Sequence, residues 1–235
     1  MQTREGYVYK IDTRLRPSGN AGPLVTSLDS FLEYHRKEAQ IWERQALTKA
    51  RVVLGDLLLA SQLEEVIRQT VYGTSIDDDG RREIHRLRMR MENELAKETA
   101  DSFNIKTGRG GMVDVEFAVQ FLLLKYGCSY PELRTTSTVE ALKEIHTLGL
   151  LKEGDAETLL TGYKFLRKLE NRLRIIHDYS VNDLSGPKSY INKLARRMGY
   201  DPKLKNPGAS LLCDYEVTTG RIRDCYDRIL GEGTS

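Results

Sequence analysis

The sequence predicts a mainly α fold, an antiparallel helical bundle with one short N-terminal β-strand. Three observations carry this reading. Apolar residues recur at helical spacing through most of the chain, in segments parted by glycine, proline and capping residues. One run, Met112 to Leu124, is nearly all apolar, as a central buried helix would be. Strand-like alternation stands out in one place, where Tyr7, Tyr9 and Ile11 alternate with Val8, Lys10 and Asp12. A single strand cannot make a sheet, so this one either pairs locally or belongs to a sheet outside the chain.

After the strand come Arg14, Arg16 and a Pro17-Ser18-Gly19-Asn20 turn. Thr26 to Asp29 offers helix caps for a segment from about Ser30 to Leu54, with Phe31, Tyr34, Ile41, Ala46 and Val53 on one face. Trp42 is expected in the core. Gly55-Asp56 breaks that helix, and Leu57 to Tyr72 forms the next, ended by Gly73. Asp77-Asp78-Asp79 favours a helix start. Arg81 to Ala100 then reads as a long exposed helix with Ile84, Leu87, Met91 and Leu95 as its buried stripe.

The glycine-rich break NIKTGRGG precedes the buried helix that starts at Met112. Val139 to Leu148 follows Pro131 and a Thr/Ser cluster. Asp155 to about Tyr179 has Leu159, Tyr163, Leu166, Leu169 and Leu173 as its stripe. A loop from Asn182 to Pro187, a short basic helix from Tyr190 to Met198, a loop from Pro202 to Gly208 and a helix from Leu211 to Leu230 complete the chain.

Composition excludes more than it assigns. The 235 residues, 40% hydrophobic and 30% charged, suit a soluble helix-rich protein of one large or two small domains. A net charge of +2 gives no argument for nucleic-acid or membrane binding. No apolar run nears the roughly 20 residues a membrane span needs. The start, MQTREGYVYK, lacks the apolar segment of a signal peptide and begins almost inside the strand, as a truncated chain would. Three scattered cysteines fit a reduced, cytoplasmic setting. Four histidines lie too far apart for metal-ligand spacing.

Two places could carry chemistry. Asp12, at a strand end, suits a metal-binding or base carboxylate, and equally a salt bridge to Arg14 or Arg16. Those two arginines share a face of an extended chain, where they could hold a triphosphate or brace Glu38 or Glu43. The second place is Lys106 with Gly108, Gly110 and Gly111. A glycine turn before a helix exposes amides to an anion, or lets the helix pack closely. Walker spacing is absent. Asp114 and Glu116 sit just inside that helix, 200° apart at 100° per residue, and each needs a partner or a cavity. Near the C-terminus, Lys188, Lys193, Arg196, Arg197, Lys203 and Lys205 make a basic patch, either a solvated face or a binding site.

The segment KIDTRLRPSGNAGPLVTSLDSFLEYHRKEAQIWERQALTKARVVLGD resembles the glutamate–ammonia-ligase adenylyltransferases, which modify glutamine synthetase. IKTGRGGMVDVEFAVQFLLLKYG resembles a second signature of that family, and YKFLRKLENRLRII a third, looser one. The likeness covers about Tyr7 to Ile176. The wording around RLRPSG and EAQIWERQAL is similar to the C-terminal, adenylylating half of these bifunctional enzymes, whereas LENRL is closer to the AMP-removing half.

The resemblance implies a division at residues 1–27, the end of a polymerase-beta-like nucleotidyltransferase core, and 28–235, a helical domain shared with PII-uridylyltransferases. It places Asp12 at that core's third metal carboxylate, with Arg14, Arg16 and Lys106 toward nucleotide phosphates and Asp114 and Glu116 facing the cleft. The Gly-Ser-x-Asp-x-Asp motif that supplies the first two carboxylates is missing, and Ser75-Ile76-Asp77-Asp78-Asp79 does not replace it. The implied activity is transfer of AMP from ATP to a tyrosine of glutamine synthetase with Mg²⁺, under control of the PII signal protein and glutamine, this piece being inactive alone. The alternative is a helical interaction module that docks PII protein or glutamine synthetase without chemistry.

Overall fold

A computed structural model describes residues 2–3, 6–7, 11–177 and 182–231. The fold is mainly α, as the sequence predicts, and divides into two compact units, Met1–Thr74 and Ser75–Ser235. The division that the resemblance implies, after residue 27, is one of family origin and is separate from this packing boundary. By packing density, the first three helices group with the N-terminal residues.

In the first unit, β1 (Gln2–Thr3) pairs antiparallel with β2 (Gly6–Tyr7), Gln2 opposite Tyr7. The pairing is therefore local. Of the expected strand beyond Tyr7, residues 8–10 lie outside the described residues, and Ile11 and Asp12 are not strand.

The helix expected from Ser30 to Leu54 is two helices, α1 (Leu28–Lys37) and α2 (Ile41–Leu47). A reciprocal cap makes the break. Glu43 accepts from the Gln40 backbone N–H at 2.8 Å, while its other carboxylate oxygen accepts from the Tyr34 hydroxyl at 2.7 Å. The break takes Trp42 off the apolar face, and it is 40% exposed rather than core. α3 (Leu57–Tyr72) has the expected bounds, with Asp56 accepting from the Leu58 and Leu59 amides. Arg44 of α2 donates to the Val71 carbonyl at 2.8 Å and also to that of Thr74, a cation on the unsatisfied end of α3. Of the buried apolar side chains among the described residues, the unit holds Val66, Val71 and Tyr72, and Val71 alone of these is fully buried.

The second unit is built around α5 (Met112–Tyr126), which packs against α4 (Asp78–Met91), α6 (Thr138–Thr147), α7 (Asp155–His177) and α9 (Pro207–Leu230). Contact on nearly every side explains why α5 lacks a polar stripe: Val115, Ala118, Val119, Leu123 and Leu124 are wholly buried. The five stripe residues foreseen on α7 are buried as well.

α4 ends sooner than expected, in a π-helical turn over Glu92–Ala96 closed by Lys97 at φ 48°. That turn rotates Leu95 outward, leaving it 56% exposed. The loop after α7 contains β4 (Asp183–Leu184), paired antiparallel with β3 (Phe103–Asn104). α8 (Lys188–Met198) ends on Gly199 in the left-handed region, φ 103°.

The glycine loop before α5 lies against α9. Gly110 has φ 68°, and a Cβ there would stand 1.9 Å from the Thr219 carbonyl oxygen. Gly149, after α6, has a similar φ of 63° but open space around it. Gly149→Ala should therefore cost only the conformational strain, about 1 kcal/mol. Gly110→Ala adds a backbone clash and should cost roughly 3 kcal/mol or more. Urea denaturation of the two variants checks this; equal midpoints would refute the close approach.

Candidate functional site

The turn after Asp12 is built by its own side chains. Arg14 curls back on Asp12: its backbone N–H and Nε donate to Oδ1 at 3.0 and 2.9 Å, and Nη2 donates to Oδ2 at 2.6 Å. Hydrogen bonding to Asp12, and then its charge, holds the Arg14 guanidinium above its ordinary pKa. Both side chains stay open to solvent, Arg14 at 74% and Asp12 at 52%.

Arg16 does something else. It donates to the backbone oxygens of Thr13 at 2.6 Å and Gly22 at 3.1 Å, and to the Thr13 hydroxyl at 3.0 Å. It thus holds the ends of the turn together. Ser18 and Gly19 turn through left-handed geometry, φ 59° and 52°, and Gly22 passes so near Pro17 that a Cβ would lie 2.0 Å from its carbonyl. The two arginines do not share a face, because the chain here is a turn and not extended. Neither braces Glu43, which is held by Tyr34 and Gln40.

Asp12 is an exposed hard-oxygen ligand of the kind Mg²⁺ takes, and Mg²⁺ is commonly held by one or two carboxylates with waters and substrate phosphates. Among the described residues no group of three metal-ligating side chains accompanies it. The described part of the chain thus fits one ligand of such a centre and not a closed site.

In the second unit Asp114 lies in the first turn of α5 with no solvent exposure. Its Oδ1 stands 2.5 Å from Arg88 Nε of α4, and its Oδ2 stands 3.4 Å from Arg223 Nη1 of α9 and accepts from the Gly110 amide at 2.7 Å. Glu92 reaches both arginines, at 3.2 Å to Arg88 and 2.7 Å to Arg223. Arg88 also donates to the Gly108 carbonyl at 2.8 Å, and Arg223 Nε stands 2.9 Å from Asp227. Burial pushes the Asp114 carboxyl above its ordinary range, and Arg88 and Arg223 pull it back. Asp114 is therefore a closed ionic junction, not a cleft-facing group.

Glu116 points another way, as the 200° separation requires. It accepts from the Tyr163 hydroxyl of α7 at 2.9 Å. Burial, and then the Glu116 charge, pushes that phenol up to about 12.

The glycine loop offers no bare amides. Lys106 and Thr107 donate to Asn104 Oδ1, Gly108 to the Asn104 carbonyl and Arg109 to Glu98. Gly110 donates to Asp114, Gly111 to Gly108, and Met112 and Val113 to the carbonyls of Ile105 and Lys106. Every amide from 106 to 113 is used inside the chain, so the loop serves close packing and not an amide-lined anion site. The Lys106 side chain itself is exposed.

Sequence reasoning missed Arg88, Glu92 and Arg223. Arg88 lies four residues after Ile84, on the face of the expected buried stripe, and Arg223 four after the buried Thr219. A cation on a core-facing register, beside a lone acid in an apolar run, is the signal that could have found them.

With this geometry in view, comparison with known families gives two matches. Residues 1–66 match the model for glutamate-ammonia ligase adenylyltransferase. Residues 80–230, more than half of the chain, match the model for GlnD PII-uridylyltransferase. The gap between them contains the division between the two compact units.

Asp114→Ala strands two buried guanidinium groups and should lower stability by about 3–5 kcal/mol. Glu116→Gln keeps an acceptor for Tyr163 and should cost about 1 kcal/mol or less. Chemical denaturation followed by circular dichroism ranks them; an Asp114→Ala variant as stable as Glu116→Gln would remove the junction from its structural role.

Proposed function

The chain belongs to the nucleotidyltransferase family of the glutamate-ammonia ligase adenylyltransferases and PII-uridylyltransferases, and on that premise we propose that it is part of an enzyme that transfers AMP from ATP to a tyrosine of glutamine synthetase. The observation that carries this reading is the match of residues 1–66 to the adenylyltransferase model, since that stretch holds the Asp12–Arg14 pair.

In this reading Asp12 is the carboxylate of the chain that takes part in the reaction. The tyrosine oxygen bonds to the α-phosphorus of ATP, the bond to pyrophosphate breaks, and the phenolic proton leaves to a base. Asp12 would hold Mg²⁺, which when bound supplies charge neutralisation at the phosphates. Its exposure leaves it free to exchange Arg14 for such a ligand, and Arg14, released, can turn to a phosphate. Arg16 contributes by keeping the turn in shape. Glutamine synthetase and the PII signal protein are the proposed partners, and the cytoplasm the proposed setting. Among the described residues no helix is long and apolar enough to cross a membrane.

The test uses labelled ATP and glutamine synthetase. In the full-length enzyme Asp12→Asn should cut AMP transfer by at least ~100-fold, as loss of a metal-binding or proton-accepting carboxylate does. The 235-residue chain alone should transfer none. Transfer by the isolated chain would overturn its inactivity alone, and undiminished transfer by Asp12→Asn would remove Asp12 from the reaction.

A further inference from the structure

The charge of this chain is unevenly placed. Residues 163–205 carry eleven Lys and Arg against four Asp and Glu, a local +7 in a chain whose total is +2, so the remainder sums to −5. How those cations are partnered matters more than their number. On α4 the exposed arginines are neutralised by acids three or four residues away: Arg86 pairs with Glu83 at 2.7 Å, Arg90 with Glu94 of the following turn at 2.8 Å, and Arg82 with Asp79. On α7 and α8 the pattern reverses. Lys164, Arg172, Lys193, Arg196 and Arg197 form no ion pair with any described residue. The acid at the centre of the stretch, Glu170, is buried and already shared by Arg167 and Arg174, at 2.7 and 2.6 Å.

The cations of α7 share a face, Lys164 and Arg172 among them without an acidic partner in the described residues. At 100° per residue, Lys164, Arg167, Lys168, Asn171, Arg172 and Ile175 fall within an arc of about 140° on the solvent face of α7. Lys168 donates to the Met198 carbonyl at 2.7 Å, which joins this face to the end of α8, where Arg196 and Arg197 are exposed. Beneath the stripe lies a cavity of about 530 Å³ with Val139 of α6 and Tyr163 among its walls. Ile175, 64% exposed, ends the stripe with an aliphatic side chain in water.

We propose that this face of α7, continued onto the end of α8, is a docking surface for an acidic protein segment that also carries aliphatic side chains. Unpaired like charges along two helices raise the energy of the free protein slightly and lower that of a complex with an anionic surface. The surface runs over two helices and is too extended for a small anion alone. Val139 and Ile175 favour a polypeptide over a nucleic acid, whose backbone would gain nothing from them. The proposal stands apart from the transfer reaction and does not need it.

The test is fluorescence anisotropy with a labelled peptide of about 15 residues that alternates Glu and Leu at helical spacing, titrated with the 235-residue chain. Binding is expected, and should weaken as salt rises. Lys164→Glu with Arg172→Glu should weaken it at least ten-fold, Ile175→Ser several-fold, and Arg86→Glu on α4 not at all. Thermal melts of each variant verify folding, and the exposed Ile175→Ser change tests the same surface with no change of charge. The surface is refuted if the chain does not bind the peptide. It is also refuted if a Glu-to-Gln peptide binds as well, or if Arg86→Glu weakens binding as much as the double variant. Equal or tighter binding of a poly-uridylate oligonucleotide, lost in the same double variant, would replace the acidic protein segment with a nucleic acid.

Discussion

The second unit depends on one carboxylate. Asp114 sits where α5 begins, inside a helix that is otherwise apolar, and a lone ionised carboxylate there would carry a desolvation cost of several kcal/mol. Three elements meet to offset it. α4 brings Arg88, α9 brings Arg223, and the glycine loop brings the Gly110 amide. The helix N-terminus adds its own partial positive charge. Each of these can arrive in only one register, so the junction fixes how α4 and α9 lie on α5. Apolar side chains alone would tolerate slippage by a turn; a buried guanidinium that must meet a buried carboxylate would not.

The glycines follow from the same constraint. For Gly110 to donate to Asp114, the loop must pass between α5 and α9, and at Gly110 the Thr219 carbonyl occupies the place of a side chain. Gly108 is hemmed in by Glu98 and the Asn104 carbonyl while its own carbonyl receives Arg88. A run that reads like an anion-binding loop is therefore the price of close packing around an internal charge. The two uses draw on one property, the missing Cβ, and only the destination of each amide separates them.

That distinction marks what the sequence could and could not reveal. α3 was legible to its ends because Asp56 and Gly73 are local signals, and α7 because its apolar stripe holds its 3.6-residue period over five residues. The break between α1 and α2 was not legible. Glu43 looks like a surface residue, and it caps α2 only because Tyr34, nine residues away, steadies it. Arg88 was hidden for a similar reason: a cation on a stripe is scored as surface, although it is wholly buried. At the N-terminal turn the residue types were informative and the geometry was not. Arg14 and Arg16 alternate as on a strand, but Arg16 bends the chain around itself by gathering carbonyls, and that defeats the alternation.

Asp12 and Asp114 set out the chemical logic most plainly. Both are aspartates near an arginine, and the sequence offers both as candidates, Asp12 for the metal and Asp114 for the cleft. A carboxylate that must exchange ligands during a reaction needs solvent on one side and a partner it can release. Asp12 has both, half exposed and clasped by an arginine that is itself in water. Asp114 has neither: no solvent, and two arginines that Glu92 also holds in place. Any ligand approaching Asp114 would first have to part α4 and α9 from α5. The fold has therefore sorted two like residues into opposite uses. The buried one organises the helices, and the exposed one is the carboxylate proposed for the chemistry.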